Sequence, residues 1–178
     1  TKGPDGSLMK DGKPFSFTIL TNQGNEQRRK VAELIQKRLK DIGIKIFIRI
    51  IEWTVFLRDF VDKKNFEAIV LGWTTGPEPD QYDIWHSSKT GERELNFISY
   101  KNPEVDHLLE RGRYTCVQKD RKRHYDRLQE ILAEDAPYAF LYVPDALPVV
   151  NSRVQGIDPA PAGISYNFIR WHTPATLQ

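Results

Sequence analysis

The sequence predicts an α/β fold: a mixed, mostly parallel sheet flanked by helices. Three observations lead there. The first half of the chain alternates strand-like and helix-like hydrophobic periods in the order strand, helix, strand, helix, strand. The stretch Phe66–Asp83, FEAIVLGWTTGPEPDQYD, begins as a near-continuous apolar run and ends in a loop of Gly, Thr, Pro, Trp and acids. A strand apolar on both faces is usually central in a parallel sheet, and ligands of such sheets bind beyond the carboxyl ends of the strands. Finally, Glu26–Ile42 is a clear helix, carrying Val31, Leu34, Ile35, Leu39 and Ile42 at helical spacing with Lys and Arg between them.

Residues 1–14, TKGPDGSLMKDGKP, read as an irregular lead-in or turn. Asp5-Gly6 and Asp11-Gly12 lack the alternating acids and terminal Glu of an EF-hand loop, so they are turns. Phe15–Leu20, FSFTIL, alternates and is β-branched, which predicts a strand. Asn22 or Asn25 then caps the long helix, and Gly43 stands where a left-handed residue ends it. Ile44, Ile46, Ile48 and Ile50 alternate with Lys45, Phe47, Arg49 and Ile51, a second strand. Thr54 is read as the cap of a short helix bearing Phe56, Leu57, Phe60 and Val61. The run Phe66–Trp73 follows as the third and central strand.

Residues 74–94 have no period. A loop of about 20 residues inside a compact domain is uncommon and tends to be functional. Tyr82, Ile84 and Trp85 argue for order, with a short helix near Gln81–His86. Leu95–Tyr100 reads as a short extended segment. Asn102-Pro103 starts a helix carrying Leu108 and Leu109, which Gly112 is expected to end. Residues 118–135 form another helix with Tyr125, Leu128, Ile131 and Leu132 inward, stopped by Ala136-Pro137. Tyr138–Val143 and Leu147–Val150 read as strands. Residues 1–150 are thus expected to form one α/β lobe. Residues 151–178 form a loose tail with Pro159, Pro161, Gly163 and Pro174 and a short strand at Phe168–Trp171.

The chain has 178 residues, 39% hydrophobic and 28% charged, a globular composition with no apolar stretch of membrane-spanning length. A net charge of +2 argues against nucleic acid, and the cluster Lys119, Arg121, Lys122, Arg123 reads as a solvated helix face. The single cysteine, Cys116, offers neither an internal disulfide nor a metal spacing.

No signature of a nucleophile elbow, P-loop, zincin or dinucleotide fold is present. Glu78, Asp80 and Asp83, with His86 three positions on, admit a metal-binding or acid/base reading. Two prolines and aromatic neighbours favour instead a rigid loop that holds a ligand without covalent chemistry. Trp53 and Trp73 each stand at a strand end, on one edge of the predicted sheet. They read either as core-edge packing or as a pair of flat walls for a ligand, each with an indole N–H.

The succession DGKPFSFTIL, EQRRKVAELIQKRLKDIGIKI, IEWTVFL, FEAIVLGWTTGPEPD, NPEVDHLL and AEDAPYAFLYVPD resembles the C-terminal lobe of the family 5 extracellular solute-binding proteins. These are the oligopeptide, dipeptide and nickel receptors of ABC importers. The resemblance covers most of the chain and rests on order and spacing rather than on one motif. It implies a periplasmic-binding-protein-like type II lobe cut from a longer two-lobed receptor, with the tail after Val150 returning toward the missing N-terminal lobe. It implies a periplasmic or extracytoplasmic location, with a lipoprotein anchor as one option. The implied partners are a small-molecule or peptide ligand and the membrane subunits of the importer, without cofactor, metal or catalysis. In peptide-binding members, the tryptophans corresponding to Trp53 and Trp73 line the ligand cavity. Three positions after the second of them stands an aspartate that pairs with the peptide's free α-amine. Here that position is Gly76. The implied ligand-binding set is therefore Trp53, Trp73, Thr74, Thr75, Gly76, Glu78 and Asp80, with Glu78 or Asp80 as stand-ins for the missing carboxylate.

Overall fold

A parallel three-stranded sheet organises the first 70 residues. The computed structural model describes residues 1–4, 6–158, 160 and 163–175; Asp5, Pro159 and Pro161, placed above in a turn and in the tail, lie outside them. The lead-in is a small antiparallel hairpin rather than irregular chain: β1 (Met9–Lys10) pairs with β2 (Lys13–Pro14). Its turn residues Asp11 and Gly12 both have positive φ, 51° and 73°, the signature of a tight twisted hairpin turn.

Strand β3 (Ser16–Asn22) lies at the centre of the sheet, between β4 (Lys45–Ile51) and β5 (Ala68–Ile69). Both pairings are parallel. The expectation that Phe66–Trp73 is the central strand is therefore corrected: only two of its residues join the ladder, at an edge. Its two-sided apolarity has another cause. Ala68 and Val70 pack toward helix α1 (Glu26–Asp41), while Phe66, Ile69 and Leu71 pack on the opposite side against Leu20, Phe56 and Phe97. A short edge segment covered on both faces needs the same residues as a central strand.

Helix α1 is capped by Asn25, whose side chain accepts the Arg28 N–H at 3.0 Å. It ends where Gly43 adopts φ +87° and the Ile44 N–H returns to Leu39 O at 2.9 Å. Its inner face is Ala32 with Val31, Ile35 and Leu39, whereas Leu34 and Ile42, expected inside, are exposed. The Gln36 side chain also ties the helix to Ile46 O at 2.9 Å.

After β4, helix α2 (Trp53–Val55) runs into a turn of π-helix over Phe56–Val61. Its cap is Glu52 rather than Thr54: the carboxylate accepts the Thr54 and Val55 N–H groups at 2.9 and 3.0 Å. The wider π turn brings Phe56 and Val61, five apart, to one buried face against the sheet.

The second half is helical. Helix α3 (Tyr82–Trp85), α4 (Pro103–Tyr114) and α5 (Gln118–Asp135) enclose a core of Ile84, Trp85, Val105, Leu109, Tyr125, Leu128, Ile131 and Leu132. Gly112 does not end α4. It lies inside the helix because the Tyr125 ring fills the place of its side chain, 3.0 Å from where a Cβ would stand. Leu95–Tyr100 is not extended but turned. Fully buried Asn96 donates to Tyr100 O at 2.8 Å and His86 O at 3.1 Å, and accepts the Tyr100 N–H at 3.0 Å.

Among the described residues, Tyr138–Val143 and Leu147–Val150 join no ladder, contrary to the predicted strands. Phe140, Val143, Leu147 and Val149 are exposed: Phe140 keeps one edge on the Trp85 ring, and no ladder takes up these β-prone residues here. Phe168–Trp171 is not a strand either: a 3-10 segment covers Ile164–Arg170, and among the described residues of the tail the strand-like pairing is the single bridge between Gln155 and His172.

Candidate functional site

The parallel register brings both predicted tryptophans to one rim of the sheet. Asn22, the last residue of β3, pairs with Ile51 of β4, and Leu20 pairs with Ile69 of β5. Just beyond the paired residues of β5, the Val70 N–H reaches Leu20 O at 2.9 Å, which puts Leu71 level with Asn22. Trp53 and Trp73 each follow two residues beyond those levels. They flank the carboxyl end of the central strand, with backbones roughly 10 Å apart across three strands. Both rings remain open to solvent, 43% and 38% exposed.

Each ring is backed from behind. Trp53 leans on Phe56, with centroids 6.0 Å apart. Trp73 stacks on Phe97 at 5.8 Å and 22°, Phe97 stacks on Tyr138 at 6.1 Å and 18°, and Tyr138 meets Trp85 at 4.5 Å. This aromatic column runs from the rim into the helical core. Burial pushes the Tyr138 hydroxyl up to about 12, with the Trp73 side chain pulling the other way.

At the same rim, beside Trp53 and Gly72, lies Arg28, in the sequence one of many helix cations. Its Nη1 donates to Asn22 Oδ1 at 2.8 Å, and its guanidinium carbon lies 5.9 Å from the Trp53 ring centroid. Its Nη2 comes within 3.5 Å of where a Cβ on Gly72 would stand. The signal was available: Arg28 is three residues past the cap Asn25, in the one helical turn that faces the carboxyl rim. An open depression of about 430 Å³ lies beside this rim, lined by the Asn22–Glu26 turn, Arg29 and Ile50.

The acids of the loop are drawn the other way. Glu78 pairs with Arg121 of α5. Asp80 pairs with Arg113 of α4 at 2.8 Å and also accepts the Tyr82 N–H, at the start of α3, at 3.0 Å. Arg113 in turn lies 3.9 Å over the Tyr82 ring. Asp83 faces Lys89 at 3.5 Å. His86 is buried against the Tyr82 ring, its Nε2 3.5 Å from Glu110 and 4.0 Å from Asp106. The four loop residues weighed as a metal or acid/base set therefore point to separate partners. Thr74, Thr75 and Gly76 are exposed, and nothing lies within 4 Å of where a Gly76 side chain would begin.

At the rim itself, Glu52 is committed to the α2 N–H groups, which hold its carboxyl below the usual carboxylate range. Glu26 is bound by Arg29 at 2.7 Å. The arrangement is two flat apolar walls, a cation beside the first of them, and acids engaged elsewhere. It suits reversible binding of a solute with planar or apolar parts.

Comparison with known proteins fits this geometry. Residues 1–94 match the family described as bacterial extracellular solute-binding proteins, family 5 Middle. The oligopeptide-binding protein AppA of Bacillus subtilis is 39% identical over 168 residues, covering 94% of this chain and 31% of AppA. The structure of that AppA in complex with a nonapeptide superposes with a TM-score of 0.77 at 37% identity, over 98% of this chain and 34% of that one. NikZ of Campylobacter jejuni in complex with Ni(L-His) superposes at 0.76 over 97% of this chain and 36% of NikZ; at 24% identity it attests the fold alone. The chain spans about a third of the length of the curated relatives it matches. With its parallel sheet, its type II periplasmic-binding fold and a match over residues 1–94, the chain belongs to the bacterial extracellular solute-binding proteins of family 5.

Proposed function

We propose that this chain is one ligand-binding lobe of the substrate-binding component of an ABC importer. It captures a peptide or peptide-like solute in a cleft whose other wall is supplied by a further lobe of the same polypeptide. The observation that carries this reading is the pair of half-exposed tryptophans at one rim of a parallel sheet, each backed by buried aromatics. Rigid, pre-supported aromatic walls lose little entropy on binding, and each stack contributes on the order of 1 kcal/mol beyond its area. The ligand set is Trp53, Trp73 and the exposed Thr74, Thr75 and Gly76. Glu78 and Asp80 belong to it as the braces of that loop. Their ion pairs with Arg121 and Arg113 leave no free carboxylate pair for acid/base work, which supports a binding role without catalysis.

On this reading residues 1–150 are the lobe, and 151–178 lead back toward the rest of the receptor. Exposed Phe140, Val143, Leu147, Val149 and Ile169 are the apolar surface that the remainder of the polypeptide covers. The receptor works outside the cytoplasm and hands its solute to the importer's membrane subunits. A thermal-shift screen of the full-length receptor against peptide, sugar and metal-chelate panels tests this. Peptides at about 100 times their Kd stabilise by about 2.7 kcal/mol. A screen in which sugars shift the melting temperature and peptides do not refutes it, as does turnover of any peptide that disappears in the Glu78→Ala, Asp80→Ala double variant.

A further inference from the structure

We infer that Arg28 is a specificity-determining residue of this cleft and that it recognises a carboxylate of the bound solute. The inference deepens the receptor reading above and rests on it. Three observations converge. Arg28 lies at this rim, 5.9 Å from the centroid of the Trp53 ring and beside Gly72, the residue before Trp73, where a Cβ would meet its Nη2 in ordinary contact at 3.5 Å. It is fixed there by a neutral partner, Asn22, at 2.8 Å, which orients one nitrogen without neutralising the charge. Among the described residues it is the guanidinium of this rim that forms no ion pair: Arg29 next to it is bound by Glu26 and Glu33, and Arg113 and Arg121 hold the loop acids.

A partly buried guanidinium held beside an aromatic wall and lacking a carboxylate has donors to spare in a planar fork, which fits a carboxylate in two-point contact. The same rim offers a ligand ammonium nothing comparable. Gly76 is neutral, Glu52 is spent on the first turn of α2, and Glu78 and Asp80 are paired away. Closure around a ligand excludes water and strengthens the remaining charge contact. The solute is thus selected at this rim by its negative group, and that group is either the terminal carboxylate of a peptide or an acidic side chain.

The test uses the full-length receptor, as wild type, Arg28→Gln and Arg28→Lys, with calorimetric titration of synthetic nonapeptide pools in four forms: unmodified, C-terminally amidated, N-acetylated, and with every Asp and Glu replaced by its amide. Wild type is expected to lose about tenfold to a hundredfold in affinity for either the amidated pool or the side-chain amide pool, and the pool that loses identifies the source. N-acetylation changes affinity less than threefold. Arg28→Gln binds all four pools alike, at the level wild type shows for its weakened pool, and Arg28→Lys keeps part of the discrimination. Thermal melts of the unliganded variants within a few degrees of wild type exclude a folding defect. Undiminished discrimination in Arg28→Gln overturns the role of Arg28 and leaves the receptor reading intact. Failure of every pool to bind wild type overturns both.

Discussion

Removing the Phe97 ring tests whether the aromatic column is what holds the Trp73 wall in place. Phe97 is 5% exposed and touches three rings from different parts of the chain: Trp73 at 5.8 Å, Tyr138 at 6.1 Å, and Phe66 edge-on at 6.2 Å. Phe97→Ala removes a buried ring whose neighbours are themselves bulky and anchored in separate elements, so the cavity collapses poorly. Truncations of this kind cost about 3–5 kcal/mol. For a chain of this size that corresponds to a fall in Tm of roughly 6–20 °C. Phe97→Leu keeps most of the volume and loses the stack, so it is expected to cost less than about 1.5 kcal/mol. Urea unfolding of the 178-residue chain, followed by far-UV circular dichroism and tryptophan fluorescence, measures both. In the full-length receptor, each variant should also weaken ligand binding in proportion to the freedom gained by Trp73. A loss below 1 kcal/mol for Phe97→Ala, or equal losses for Ala and Leu, would refute the column as a support.

Three further outcomes are expected. Gly43→Ala should cost roughly 2–5 kcal/mol in the same urea assay. Its φ is +87° and a Cβ there would come within 2.4 Å of Gly6 O and 2.8 Å of the Leu8 nitrogen, whereas Gly76→Ala meets open space and should stay within about 0.5 kcal/mol. Stability should also fall as pH rises from about 10 to about 12. The Tyr138 phenol is raised in the folded state, so its contribution is complete below the unfolded value near 10 and is lost as pH climbs through the folded value; Tyr138→Phe should flatten that part of the curve, as read by melting temperature against pH. Glu78→Ala with Asp80→Ala should change global stability by no more than about 1–2 kcal/mol, because both ion pairs are partly solvent-exposed. It should nevertheless make residues 74–81 a preferred site of limited proteolysis, since the loop's ties to α4 and α5 are gone.

Local signals carried most of the fold. The cap at Asn25, the left-handed Gly43 and the Asn102-Pro103 start all act within one turn of chain, so α1 and α4 begin, and α1 ends, where the sequence places them. Helix α5 spans Gln118–Asp135, matching residues 118–135 as predicted, with its four inward residues buried. What escaped is decided by distant partners. An apolar run cannot tell whether it will have one neighbouring strand or two, so Phe66–Trp73 looked central and is an edge. The Tyr138–Val150 region has strand composition, but a strand exists only by pairing, and no ladder partner for it is present among the described residues. Gly112 reads as a stop until the Tyr125 ring, 13 positions away, takes its side-chain space.

The same division governs the site. The rim position of Trp53 and Trp73 was legible because parallel strands of known order carry their carboxyl ends to one edge. The charge of that rim was not legible, because charge at a site is set by pairing rather than by composition. Counted along the sequence, residues 78–83 are an acidic loop beside Trp73 and α1 is a run of basic residues behind it. In space Arg121 and Arg113, which come from the second half of the chain, withdraw Glu78 and Asp80 from the cleft. Glu26 and Glu33 likewise take up Arg29, while its neighbour Arg28 is held by the neutral Asn22 beside the Trp53 ring. A stretch read as acidic thus borders a rim where, among the described residues, the Arg28 guanidinium is in no ion pair. On the proposed reading, Gly76 adds no negative group to this rim. Because a Cβ there meets open space, Gly76→Asp should fold normally and restore a negative group to the rim. In the full-length receptor it should make N-acetylation of a peptide weaken binding by tenfold or more, where wild type is nearly indifferent. Equal binding of acetylated and free-amine peptides by that variant would show that the ligand's amine lies elsewhere in the cleft.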